Sequence, residues 1–177
     1  MGPVAIQAVK IEYPKRWFAA GTAVDLIAMA TMIWLALDSV EDFARILWSA
    51  CAVLICIPLL FLFVPPMFTS HYAGEKGLHL RMGLLVNTTV PYRHIKGVAD
   101  AKATFGSVMI GIGVKYVSKK KTVFVTASFK DLISIRLDGP QQFGTPLLRP
   151  VVEQIVLSVK DKEGFIAVIK DRAGLEA

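Results

Sequence analysis

The sequence predicts a membrane-anchored α+β protein: a two-helix transmembrane hairpin, then a β-rich domain of about seven strands closed by a C-terminal α-helix. Three observations carry this. Two apolar runs, Phe18–Leu37 and Ile46–Val64, stand almost back to back near the N-terminus. From Phe68 onward, short stretches of period two alternate with turn residues. The final segment returns to a helical period.

Composition agrees. Of 177 residues, 54% are hydrophobic and 19% charged, and the mean hydropathy is +0.54. Such a chain is neither a disordered polymer nor a collagen-like fibre. Its two cysteines exclude a disulfide scaffold.

Each apolar run reaches close to the ~30 Å of a bilayer's hydrocarbon core at ~1.5 Å per residue. Burying two such runs inside a soluble protein would take a far larger chain. A secretory signal peptide is the other competing reading. Lys10, Lys15 and Arg16 resemble its charged start, but the apolar run exceeds an h-region of about 7–15 residues and a second span follows at once.

The joining segment, Asp38–Arg45, is short and acidic. The flanks carry Lys10, Lys15 and Arg16 on one side and His71, Lys76 and Arg81 on the other. Positive charge stays inside. The expected protein is therefore two-pass in the cell (inner) membrane, with both termini cytoplasmic. Trp17, Trp34 and Trp48 lie near span ends, where an indole suits the interface. Pro58 is expected to kink the second helix, and Pro65-Pro66 to end it. Residues 1–67 thus form the N-terminal segment and hairpin, and residues 68–177 a cytoplasmic domain. Asp25 is the one charge inside a span. A carboxyl there either reaches the headgroups or faces a neighbouring helix, and both readings stay open.

In the second part, Leu78–Met82 alternates apolar and polar, Gly83 turns, and Leu84–Val90 continues. Strands are expected at Gly97–Ala103, Val108–Val117, Thr122–Ser128, Leu132–Leu137 and Arg149–Val159. Ser118–Lys121 is the polar tip of a hairpin, and Asp138-Gly139-Pro140 closes a strand. Asp161 is a good N-cap for a helix whose apolar residues are Phe165, Val168, Ile169 and Ala173. An antiparallel sheet packed on itself, with the helix over one open end, is the economical arrangement.

The order Tyr72…Gly77-Leu78-His79-Leu80-Arg81-Met82-Gly83, then Val90-Pro91-Tyr92-Arg93-His94-Ile95, behind a membrane hairpin, resembles the bacterial and archaeal pleckstrin-homology-like (PH-like) domain. The resemblance runs from Phe68 to Arg172 and rests on motif order. It implies a partly open seven-stranded β-barrel or sandwich capped by a C-terminal helix, with no catalysis and no cofactor. The Gln141–Pro150 segment is longer and richer in proline than the family pattern.

No phosphate loop, His-Glu-x-x-His or Cys-x-x-Cys is present. His71, His79 and His94 are scattered, and Cys51 and Cys56 fall on different faces of one helix. From Phe68 onward 16 basic residues stand against 9 acidic ones. Lys115, Lys119, Lys120, Lys121 and Lys130 gather around one hairpin in the sequence. They are candidates for contact with anionic lipid or with an acidic protein surface, or they form a solvated tip. Nucleic acid is disfavoured because no aromatic residues interleave with the charge. The sequence therefore points to a non-enzymatic, membrane-anchored interaction module. Its partner would be another integral membrane protein or a second copy, making it an accessory, scaffold or assembly subunit. The alternative is a sensor of anionic lipid headgroups.

Overall fold

The computed structural model describes residues 8–101, 113–144 and 149–175. Two long helices lead. Helix α1 spans Arg16–Asp38 and α2 spans Asp42–Pro58. Helix α1 and the continuous helical run Asp42–Met67 that α2 begins are long and apolar enough to cross a membrane, and the rest of the chain buries almost none of either. The acidic connection is tighter than expected, because α2 already begins at Asp42. Arg45 closes it by donating from Nη2 to the Ser39 carbonyl (3.1 Å).

After Pro58 the helix widens into a π-helical stretch, Leu59–Phe63, and then a last turn, α3 (Val64–Met67). The kink expected at Pro58 takes this form, since proline leaves a carbonyl one turn back without a donor. The helix ends at Met67, one residue after Pro65-Pro66, so the proline pair lies in its last turn as the sequence led one to expect. Gly21 of α1 lets the Phe63 ring come so close that a Cβ there would collide with it.

The β domain contains two sheets among the described residues. The first is antiparallel throughout, in the order β1 (Val9–Ile11), β2 (His71–Ala73), β3 (Gly77–Met82), β4 (Val86–Pro91). The second contains β5 (Ile95–Ala101), β6 (Gly113–Val117), β7 (Thr122–Thr126), β8 (Leu132–Gln142) and β9 (Val151–Ser158), in the order β5-β8-β9-β7-β6.

Several expectations change. Strand β1 lies ahead of the helical hairpin, yet it pairs with β2 after it, Lys10 opposite Tyr72. Three residues are too few to show a period, which hid it in the sequence. Leu84 belongs to the turn rather than the strand, because Gly83 at φ +53° folds the chain so that Leu85 N–H reaches the Met82 carbonyl (3.0 Å). The second sheet is not wholly antiparallel: β7 and β9 run parallel. Asp138-Gly139-Pro140 does not close β8 but forms an irregularity inside it, between Arg136 and Gln141, where proline's missing N–H leaves no ladder bond broken. Residues 102–112 and 145–148 of the expected strands and connection lie outside the described residues.

The two sheets face one another over a common core. Leu78, Leu80 and Met82 point inward from β3 while His79 and Arg81 point out, as period two requires. Val123, Val125, Ile133, Ile135, Ile155 and Leu157 supply the facing layer. Helix α4 (Lys162–Ala173) packs on β5 and the turn before it. Its Asp161 cap accepts from Gly164 N–H (3.0 Å), and Gly174 ends it at φ +64°. Arg172 fastens it to the first sheet by donating to the carbonyls of Ala73 and Gly74 (2.6 Å each).

Phe165 is 3% exposed, at the centre of this helix's contact with the core. Phe165→Ala should therefore cost about 3–5 kcal/mol, read by denaturant unfolding of the full chain in detergent. A loss below about 1 kcal/mol, the scale of a surface substitution, would show that α4 does not close the core.

Candidate functional site

Among the described residues polar chemistry collects at the joint between the hairpin and the β domain, at the Ser118–Lys121 tip and in a groove beside the start of α1. The joint is built on Tyr13, which is 1% exposed. Gly83 N–H donates to Thr69 Oγ1 (2.7 Å), Thr69 and Tyr13 share a hydroxyl–hydroxyl bond (2.8 Å), and the Tyr13 hydroxyl donates to the Pro66 carbonyl (2.6 Å). This chain links the residues just ahead of α1, the end of α3 and the β3–β4 turn. Burial pushes the Tyr13 phenol pKa above its ordinary value, so it remains a donor. Gly83 is required here, because a Cβ would meet the Pro66 nitrogen at 2.8 Å. Lys15 Nζ adds a bond to the Met67 carbonyl (2.7 Å).

His71 lies under the Tyr13 ring, with centroids 5.0 Å apart, and is fully buried. Its Nδ1 accepts from Arg81 N–H (3.1 Å), so the proton of the neutral ring is on Nε2. Nε2 is buried without a hydrogen-bond partner among the described residues. Burial lowers the His71 pKa to about 4. His79 instead bonds Thr89 Oγ1 (2.8 Å), and His94 lies beside Arg93. The three histidines are not brought together, and no group of His, Cys, Asp or Glu is placed to hold a metal among the described residues.

The structure separates the lysines that the sequence grouped. Lys119 and Lys120 are exposed on the tip between β6 and β7. Lys121, at φ +45°, turns back, and its Nζ meets Glu153 Oε1 at 2.6 Å. That bond raises its pKa and spends much of its charge locally. Lys115 sits two residues inside β6, opposite Phe124. Lys130 is not part of this cluster. It follows β7 at the far end of the strand, about 16 Å or more from the tip at ~3.3 Å per residue. Sequence proximity to the hairpin grouped it wrongly, because β7 carries the chain away.

Lys130 instead joins residues the sequence reading did not single out together. It lines a groove of about 380 Å³ with Lys15, Arg16, Lys160, Glu12 and Asp131. The groove lies beside the first residue of α1. Its floor is held by Glu12, whose carbonyl accepts from Lys160 N–H (2.8 Å), and by Asp131, whose carbonyl accepts from Val159 N–H (3.2 Å). Glu12 also pairs with Lys10 (3.0 Å) and Lys160 (3.5 Å), which lowers its pKa. Lys15's pKa is lowered, first by burial and then by the charge of Lys10. Only the adjacency of β9's end to the start of α1 assembles this groove, and no local pattern announces it.

Asp25 lies within α1. Its Oδ2 is enclosed without a hydrogen-bond partner among the described residues. Cys51 and Cys56 are free thiols. In comparisons with protein-family models, curated proteins and solved structures, the chain matches none.

The buried histidine makes stability depend on pH. Its folded pKa of about 4 lies below the ordinary 6.5, so the unfolded state binds the proton first as pH falls. Stability is complete above about pH 6.5 and falls between there and about pH 4, by about 3 kcal/mol. Thermal melts of the detergent-solubilised chain across this range should show the slope, and His71→Gln should flatten it. An unchanged slope in the variant would assign the loss to other groups.

Proposed function

We propose that this chain is a non-enzymatic, membrane-anchored interaction module with a PH-like domain: an accessory, scaffold or assembly subunit of a membrane protein complex. It crosses the cell membrane twice, with both termini and the β domain in the cytoplasm. One observation carries the reading. Two apolar helices, each with only 6% of its most apolar stretch covered by the chain, are bolted to a folded domain rather than tethered by a linker. A rigid joint of that kind holds a domain at a fixed height and orientation, which is what a docking subunit needs and a free soluble domain does not. The two packed sheets with α4 across them support the PH-like part. The partner is another integral membrane protein or a second copy.

Asp25 points to the same class of partner. A carboxyl within an apolar helix is costly and usually faces a partner or water, and Asp25 as a whole is only half-buried in the lone chain. Asp25→Leu should therefore release a subunit that co-purifies in gentle detergent, or dissociate the oligomer, while raising the melting temperature of the lone chain. Intact assembly in the variant would remove Asp25 from the interface. The topology is tested separately. Reporters fused after Ala177 should be cytoplasmic, and a tag between Ser39 and Asp42 should lie outside. A C-terminus found outside would overturn the orientation and the partner class.

A further inference from the structure

The groove at the foot of α1 has a level as well as a charge. Lys15 and Arg16 stand at the start of the first span, and Lys15 Nζ holds the carbonyl of Met67, the last residue of the second. The groove therefore lies where both apolar helices leave the hydrocarbon. That is the depth at which phospholipids carry their phosphates.

Its basic groups come from three separate stretches of chain. Lys15 and Arg16 open α1, Lys130 sits on the β7–β8 loop, and Lys160 follows β9. Against these four cations stand Glu12 and Asp131. Glu12 pairs with Lys10 and with Lys160, so Lys160 shares its charge with Glu12, and Lys15 gives one of its three N–H donors to the Met67 carbonyl. The loop is not loose: Asp131 adopts φ +53°, and Lys130 N–H donates to Ser128 Oγ (3.1 Å). This fixes Lys130 at the groove and leaves Phe129 exposed beside it. An exposed phenyl next to a lysine, level with the span ends, matches a surface half in lipid and half in water.

We infer that the Lys15–Arg16–Lys130–Lys160 groove holds the phosphate headgroup of an anionic phospholipid. The inference rests on the membrane reading above. Ammonium and guanidinium side chains lining one groove suit a phosphate, and a guanidinium such as that of Arg16 can bind two of its oxygens. A bilayer supplies that phosphate at the height of the groove, in a local excess that no soluble anion matches. The Lys119–Lys120 tip, at the other end of β7, has no part in this site.

The test uses the full chain in mixed micelles of phosphatidylglycerol and phosphatidylcholine, with bound lipid counted by native mass spectrometry. The wild type should retain phosphatidylglycerol preferentially. K130Q/K160Q should reduce that preference by about fivefold for each basic residue removed, with the melting temperature unchanged. K119Q/K120Q should leave it intact. Excess inorganic phosphate should not displace the lipid; if it does, the ligand is a soluble anion and the lipid assignment falls. The inference is also overturned if the wild type shows no preference, if K130Q/K160Q keeps it, or if the tip variant loses it. Extraction of vesicles at alkaline pH separates the two readings. A chain washed off the vesicles overturns the membrane reading and the lipid site together. A chain that stays inserted but shows no lipid preference overturns only the site.

Discussion

The phenol of Tyr13 sits where three parts of the chain meet, and the arrangement of the whole molecule depends on its hydrogen bonds. The Pro66 carbonyl it satisfies terminates the second apolar helix, and the Thr69 hydroxyl it shares holds the β3–β4 turn through Gly83. A buried carbonyl at a helix end needs a donor. The Pro66 carbonyl accepts from Thr69 N–H (3.3 Å), and Tyr13 brings it a second donor from 53 residues away. The aromatic ring meanwhile fills the space between Phe18 of α1 and His71 of β2. Apolar packing and polar satisfaction are thus met by one side chain. Neither the hairpin nor the first sheet is complete without it.

Charge is arranged around this joint in two unlike ways. At the tip, Lys121 pairs with Glu153 on β9 and its carbonyl accepts from Glu153 N–H (2.8 Å), while Lys119 and Lys120 project from the turn between β6 and β7. An exposed pair of like charges on a tight turn needs no further explanation than solubility. At the foot, basic side chains from α1, the β7–β8 loop and the end of β9 face a common space, and burial already depresses Lys15's pKa. Crowded cations that a fold maintains at some electrostatic cost are better evidence of a ligand than a run of lysines in sequence, because only the tertiary structure brings them together.

The legible parts of the sequence were those with many repeats of one period. The two spans could be read because each is a long uninterrupted run, and β3 because Leu78, Leu80 and Met82 alternate with His79 and Arg81. The Asp161 cap and the Phe165–Ile169 face of α4 were equally plain. What escaped was set by contacts distant in sequence. Strand β1 is three residues long and becomes a strand only by pairing with β2. The parallel β7–β9 pair leaves no local mark, and it is this pairing that carries Lys160 to the same end as Lys130. Nothing near His71 in sequence marks it for burial; Tyr13, 58 residues earlier, is what covers it. The candidate groove was illegible for the same reason, since its residues are contributed by segments near positions 12–16, 128–131 and 160.

The position of β1 has a consequence for how the protein assembles. To pair Val9–Ile11 with His71–Ala73, the chain must close a loop of about sixty residues, which for a flexible polymer costs on the order of 4 kcal/mol before the constant term. Here the loop is the hairpin of two long apolar helices. Two antiparallel helices return the chain to the end it left, so the packing of α1 on α2 already brings Tyr13 near Pro66. The entropy of closure is then shared with helix formation and helix packing, and the Tyr13 bonds need only fix the last few ångströms. On this account the β domain is not an independent unit hung on a tether. Its first strand pairs across the hairpin and its central hydrogen-bond chain runs through the hairpin's end, so the fold of the domain is coupled to that of the two helices.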